Sequence, residues 1–245
     1  LPKVFAFVAV KDTVNIPLIY QLLMLEVAID GLRLAGVDFH LNSVGRRTVQ
    51  VEELLETHHA VFIGVGAGLP MFLGVPGENL VGVFSANEYL TRVNLGRAYD
   101  FPNQDTPAFP GRNVTVFGAG NVAMDAARTA LRMGAESVHI VYRRTRAEMP
   151  ARLEELEHAE EEGVQFAMLS APLRFNGDAE MRLQSVTLQR MELGEPDASG
   201  RRRPIEKKGS NFLLDVDCVV IAIGNSPNPD RKSTRLNSSH GYRSR

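Results

Sequence analysis

The sequence predicts an α/β protein with a parallel sheet, and three observations carry that expectation. Strand-like and helix-like segments alternate from Asn113 to Leu169. A glycine pair, Gly118 and Gly120, stands where the first of these strands would turn into its helix. Beyond Leu183 the texture changes to runs of alternating polarity, which suit an antiparallel meander. The chain has 245 residues, room for one large domain or two ordinary ones, and 44% are apolar, enough to bury a core.

Taken in order, residues 1–28 are the least readable. Ile29 to Gly36 has helical spacing with Gly36 as its stop, and Val37 to Leu41 alternates like a short strand. Val49 to Glu56 predicts a small helix. Ala60 to Ile63 reads as an apolar strand running into Gly64-Val65-Gly66-Ala67-Gly68. Pro70, Pro76, Pro102, Pro107 and Pro110 punctuate a connection around one helix, Ser85 to Tyr99. Ser85 is its N-cap, and Glu88 three residues later completes a capping box. Asn113 to Phe117 is then a strand, and Asn121 to Met133 a helix ended by Gly134. Ala126, Ala127, Ala130 and Leu131 give that helix a small apolar face. Ser137 to Tyr142 is the next strand. Pro150 suits the first position of an acidic helix that Gly163 ends, and Val164 to Leu169 is a third strand. The meander comprises Leu183 to Leu193, Arg201 to Lys208 and Asn211 to Leu214. Asp217 to Ile223 is a last buried strand leading into Gly224.

Composition removes several function classes. The most apolar stretch, Thr13 to Ile29, is broken by Pro17, Gln21 and Glu26, so no membrane span is expected. The single cysteine, Cys218, excludes an internal disulfide framework and any four-cysteine metal or Fe–S site within the chain. Its apolar neighbours predict a buried, inert thiol. With no signal peptide in view, these features predict the cytoplasm. The chain opens at Leu1-Pro2-Lys3 without a methionine, so preceding residues are expected. Asp230 to His240 (DRKSTRLNSSH) is the translation of a common sequencing adapter, and residues 230–245 are read as a non-native tail. That tail holds five basic residues and one acid, which leaves 22 basic and 28 acidic residues and a net charge of −6. An acidic body gives no support for a nucleic-acid partner.

The chemistry concentrates at Gly118-Ala119-Gly120-Asn121-Val122-Ala123. Placed between a strand and a helix, this is a dinucleotide fingerprint. Gly118 permits the tight turn, Gly120 lets the backbone approach a pyrophosphate, and Ala123 lets the helix pack closely on the sheet. The free N–H groups of the helix start then face the diphosphate. The fold is therefore of Rossmann type. The second strand ends at Tyr142-Arg143-Arg144, with Arg143 25 residues after Gly118. An NAD site places a carboxylate there to accept from the ribose 2′-hydroxyl. Two guanidiniums suit a 2′-phosphate instead, and NADP(H) is favoured over a merely solvated basic loop. Arg201-Arg202-Arg203 reads as a solvated hairpin loop. Glu154, Glu155, Glu157, Glu160, Glu161 and Glu162 read as a solvated helix face. His58, His59, His139 and His158 have no metal-ligand spacing. No catalytic triad or dyad is visible, and hydride transfer between cofactors requires none.

Five co-linear stretches carry a resemblance. They are VFIGVGAGLP (Val61 to Pro70), PGENLVGVFSANEYLTRVN (Pro76 to Asn94), GAGNVAMDAARTALRMGA (Gly118 to Ala135), VYRRTRAEMPAR (Val141 to Arg152) and AIGNSPNP (Ala222 to Pro229). From about Ala60 to Pro229 the chain resembles the small subunit of NADPH-dependent glutamate synthase. Its relatives include the flavin subunit of ferredoxin:NADP oxidoreductase and the amino-terminal half of dihydropyrimidine dehydrogenase. The resemblance implies a two-dinucleotide-binding flavoprotein fold, in which a Rossmann-like NADPH domain with its meander is inserted in an FAD domain. Residues 1–110 would be part of the FAD domain, with 1–28 an unassigned insertion, and 111–229 the NADP(H) domain. In such proteins electrons pass from NADPH to FAD, then through 4Fe–4S clusters in an amino-terminal domain of the parent protein. They end at a large glutamate synthase subunit, or another Fe–S acceptor, and homo-oligomers are possible.

By position, Gly118, Gly120, Asn121, Val122 and Asp125 would contact NADPH, and Arg143 and Arg144 its 2′-phosphate. Val65, Gly66 and Gly224 would run beside FAD, with Val65 standing where the family usually has threonine. The first FAD fingerprint and the closing Gly-Asp segment of the family have no counterpart. This stretch of chain alone is therefore expected to be inactive. Three functions follow from the resemblance. The first is an NADPH-oxidising glutamate synthase flavoprotein, the second a ferredoxin:NADP oxidoreductase subunit, and the third an inactive nucleotide-binding fragment.

Overall fold

The computed structural model describes residues 4–8, 27–45, 47–64, 67–107, 111–196 and 202–227. Two compact units divide the chain, 1–67 and 68–245. Val65, Gly66, most of the unassigned insertion and the 230–245 tail lie outside the described residues.

The first unit holds β1 (Val4–Val8), a helix α1 over residues 27–34, α2 (Val51–Thr57) and β2 (Ala60–Gly64). Strands β1 and β2 pair in parallel, with Val4 opposite Ala60. The strand β1 is absent from the expectations above, although the apolar run VFAFV carries its signal. Gly36 ends α1 with a φ of 85°, the conformation a helix stop requires. The strand expected at Val37 to Leu41 does not form; the chain turns at Leu41 and Asn42 instead. Its alternation was misleading because no neighbouring strand accepts it, and Leu41 remains exposed.

The second unit is built on a five-stranded sheet in the order β4-β11-β5-β6-β7. The strands are β4 (Val83–Ser85), β5 (Asn113–Phe117), β6 (Ser137–Tyr142), β7 (Gln165–Met168) and β11 (Cys218–Ile221). Every pairing in it is parallel. Parallel strands must be joined by crossovers, and the helices α3 (Ala86–Asn94), α4 (Asn121–Arg132) and α5 (Leu153–Glu161) belong to them.

Alternation along the strands sorts the core into two layers. Val114, Val116, Val138, Ile140, Cys218 and Val220 pack with the helices. Phe117, Val141, Val219 and Ile221 face the other way, toward Phe175, Val186 and Leu188. That second layer belongs to an antiparallel sheet of three strands, β8 (Ser170–Gly177), β9 (Leu183–Pro196) and β10 (Arg202–Asp215). The meander is therefore the cover for the second face of the parallel sheet. A sheet buried on both faces reads as continuous apolar runs, which is why NVTVF and CVVI are so plain in the sequence.

Several boundaries shift for physical reasons. Ser85 does cap α3, its Oγ accepting from the Glu88 N–H at 3.2 Å, while the Glu88 side chain pairs with Arg92 at 3.0 Å. The helix stops at Asn94, short of the expected Tyr99, because Gly96 and Arg97 (φ 48°) turn the chain into a short 3₁₀ segment. Pro150 is not a first helical residue. Thr145 and Glu148 close a capping box around a 3₁₀ turn at Arg146–Glu148, and α5 starts only at Leu153. The strand β8 was missed, hidden behind Pro172 and Asn176. The two runs expected at Arg201–Lys208 and Asn211–Leu214 are one strand, β10. An irregularity between Glu206 and Asn211, with Gly209 at φ 72°, breaks its alternation.

Candidate nucleotide-binding site

In a parallel sheet the carboxyl ends of the strands are where ligands collect. Here β5 ends into Gly118, β6 into Arg143 and β11 into Ala222. Gly118 lies at φ 140°, and a Cβ on it would sit 2.3 Å from the Ala222 carbonyl oxygen. The Ala222 N–H donates to the Phe117 carbonyl at 2.8 Å, which locks this crossing of two strand exits. Glycine is required at 118 by sterics and dihedral together.

Gly120 differs in kind. Its φ is −90°, open to any residue, and a Cβ there would meet nothing within 4 Å. The space beside it opens at the start of α4, where the N-cap is Gly120 itself and has no side chain to cap the first turn. Helix geometry leaves the first N–H groups without intrahelical partners, and the helix dipole makes that end positive. A bare backbone, free donors and open space together fit a pyrophosphate. Behind the turn Ala123, Ala126, Ala127 and Ala130 are wholly buried, so α4 lies close on the sheet and its start is held rigidly.

The remaining predicted contacts separate. Val122 is exposed in the first turn of α4, and Asp125, beyond that turn, is half-buried. Asn121 uses its Oδ1 to accept from the Arg152 main-chain N–H at 3.0 Å, and the Ala151 N–H donates to the Ala119 carbonyl at 3.1 Å. The start of α5 is thus sewn to the glycine turn, an arrangement no sequence signal announced. Arg143 is exposed at the end of β6. Arg144 is buried, and its Nε donates to the Arg202 carbonyl at 2.7 Å. Gly224, at φ 113°, sits at the edge of a clip between β3 (Leu69–Pro70) and β12 (Asn225–Ser226), its carbonyl accepting from the Met71 N–H at 3.0 Å.

Two expectations need correction. Arg202 and Arg203 are exposed, as a solvated run requires, but they begin β10 rather than lie in a loop, and the main-chain carbonyl of Arg202 accepts from Arg144. The acidic helix is not a uniform solvated face either. Glu155 is buried against Arg128 at 3.2 Å, Glu162 holds both Arg128 and Arg132 at 2.7 Å, and Glu160 pairs with Arg146. Burial pushes the Cys218 thiol up to about 12, which keeps it inert as expected. Among the described residues no cluster of His, Cys, Asp or Glu could hold a metal, and no helix is long and apolar enough to cross a membrane.

Comparison with known proteins agrees with this fold. A profile of the pyridine nucleotide-disulphide oxidoreductase family matches residues 29–242. The putative glutamate synthase [NADPH] small chain of Cereibacter sphaeroides is 40% identical over 200 residues, covering 81% of this chain and 48% of that protein. The glutamate synthase [NADPH] small chain of Halomonas elongata is 41% identical over 195 residues, covering 79% of this chain and 41% of that one. This chain spans at most about half the length of these relatives. Among solved structures, FprA from Mycobacterium tuberculosis (His57Gln mutant) superposes with a TM-score of 0.68 at 23% identity, over 86% of this chain and 61% of that one. At that identity the likeness is one of fold.

Proposed function

Because this chain belongs to the pyridine nucleotide-disulphide oxidoreductase family, we propose that its five-stranded domain binds NADPH and serves as the electron entry of an FAD-dependent oxidoreductase of the glutamate synthase small-chain type. The observation that carries this reading is the open, glycine-lined start of α4, where Gly120 leaves room for a pyrophosphate. Bound NADPH and FAD would supply the hydride-transfer chemistry, since the cofactors hold the reactive atoms and the protein aligns them. What the chain contributes is binding and orientation. The first turn of α4, at Asn121 and Val122, offers its N–H groups to the diphosphate, with Asp125 on the next turn. The turn at Arg143 and Arg144 meets the 2′-phosphate with fixed positive charge, where a carboxylate would have repelled it. On the flavin side the reading rests on Gly224. The acceptor in this proposal is an Fe–S protein or large subunit that forms glutamate from glutamine and 2-oxoglutarate, and the setting is the cytoplasm.

Gly120→Val tests this reading. A valine is allowed by the backbone at 120, so the unfolding midpoint in urea should match the parent. NADPH affinity should fall by about tenfold or more, roughly 1.4 kcal/mol, as the side chain fills the space meant for phosphate. Unchanged NADPH binding in the valine variant would place the nucleotide elsewhere.

A further inference from the structure

The segment that follows β6 folds back onto the fingerprint and spends two consecutive main-chain N–H groups there. The Ala151 N–H donates to the Ala119 carbonyl at 3.1 Å, and the Arg152 N–H to the Asn121 Oδ1 at 3.0 Å. Ala119 and Asn121 flank Gly120, whose φ of −90° and open surroundings leave room for a ligand. The segment is itself held from the β6 side. The Tyr142 hydroxyl donates to the Glu148 carbonyl at 2.9 Å, and Glu148 closes a capping box with Thr145. Arg152 then opens α5 as its N-cap, at φ −64° and with no side-chain cap bond of its own. The two contacts therefore join the starts of two helices across the glycine turn.

Resting on the NADPH reading above, we propose that Ala151 and Arg152 form a two-pronged clamp that aims the N–H groups of the fingerprint, with Asn121 as its positioning residue. The physical reason lies in the peptide plane. A peptide unit is planar and trans, so its carbonyl and the following N–H point in opposite directions. Holding the Ala119 carbonyl on Ala151 therefore turns the Gly120 N–H away from α5. The Asn121 side chain supplies the second point of attachment, which stops the first turn of α4 from pivoting about the first. Helix geometry provides no substitute, because the first N–H groups of a helix have no partner within it. The clamp acts on donors for the diphosphate, which NADPH and NADH share, so its loss changes both affinities alike.

Proline at 152 tests the clamp, since it deletes the N–H that Asn121 accepts and the Arg152 φ of −64° is one the proline ring adopts without strain. Arg152→Ala removes the same guanidinium but keeps the N–H, and so sets the baseline. NADPH and NADH are titrated into the parent chain, Asn121→Ala, Arg152→Ala, Arg152→Pro and the variant carrying both Asn121→Ala and Arg152→Pro. Urea unfolding is followed in parallel. Asn121→Ala is expected to bind both nucleotides about three- to tenfold more weakly than the parent, the range one lost hydrogen bond gives. Arg152→Pro should fall below Arg152→Ala by a similar factor. The double variant should then bind within about twofold of Arg152→Pro, because both substitutions break the same bond. A double variant weaker than Arg152→Pro by the full factor seen for Asn121→Ala would overturn the proposal, as the asparagine would then act without Arg152. So would an Asn121→Ala chain with a lowered unfolding midpoint and parental affinities, the sign of a purely structural bond. Should Arg152→Pro not fold, amide hydrogen exchange decides in its place. The Arg152 N–H should exchange faster in Asn121→Ala than in the parent, and equal rates would contradict the clamp. A parent chain that binds neither nucleotide would instead reject the NADPH reading on which it rests.

Discussion

Replacing Gly118 by valine should destabilise the five-stranded unit by roughly 3 kcal/mol or more, at the severe end of single substitutions. Two independent penalties combine there. The backbone stands at φ 140°, a region β-branched residues rarely enter, at a cost of order 1–3 kcal/mol. The new Cβ would also lie 2.3 Å from the Ala222 oxygen and 2.8 Å from its carbonyl carbon, and neither is the flexible end of a side chain. The exits of β5 and β11 would have to separate, loosening the hydrogen bond from Ala222 to Phe117. Urea unfolding of Gly118→Val beside Gly120→Val gives the sharpest contrast, since the two glycines are two residues apart and only the first is needed for stability. Equal midpoints in both variants would contradict the roles assigned to them.

Arg128→Met should cost roughly 3–5 kcal/mol, because it takes away one member of a buried ion pair and leaves the other. Arg128 and Glu155 are 7% and 4% exposed, and their side chains meet at 3.2 Å between α4 and α5. The same guanidinium also holds Glu162, through Nε at 2.8 Å and a terminal nitrogen at 2.7 Å. Replacing Arg128 and Glu155 together by apolar residues should recover much of the loss, as the stranded buried carboxylate is then gone. Arg132→Met, which removes only the exposed partner of Glu162, should cost no more than about 1 kcal/mol. Thermal or urea unfolding of the four proteins checks the series. A loss in Arg128→Met no larger than in Arg132→Met would show that the pair is not an essential contact between the helices.

Much of this fold was legible because its sheet is buried on both faces. The strands β5, β6 and β11 read as apolar runs, and α4 announced itself through Gly120, its alanine face and Gly134. The fingerprint was equally plain, since both glycines answer local demands of sterics and space. What stayed hidden depends on partners distant in sequence. The strand β10 looked like two because its alternation fails around Gly209. The segment Val37 to Leu41 alternates correctly yet has no strand to pair with. Pro150 suited a helix start, but Thr145, Glu148 and the Asn121–Arg152 bond set the helix boundary elsewhere. Glu155 was indistinguishable from its solvated neighbours until Arg128 was placed against it. Arg144 could not be told from Arg143 without the carbonyl of Arg202.

The most direct test of the central claim is calorimetric titration of the parent chain with NADPH and NADH under the same low-salt conditions. The nucleotides differ only by the 2′-phosphate, so the comparison isolates the turn after β6 from the rest of the site. Charged hydrogen bonds to that phosphate predict tighter NADPH binding by roughly 1.5–3 kcal/mol, or about 10- to 150-fold, shrinking as salt screens the exposed guanidinium. Equal affinities, or tighter binding of NADH, would contradict the account.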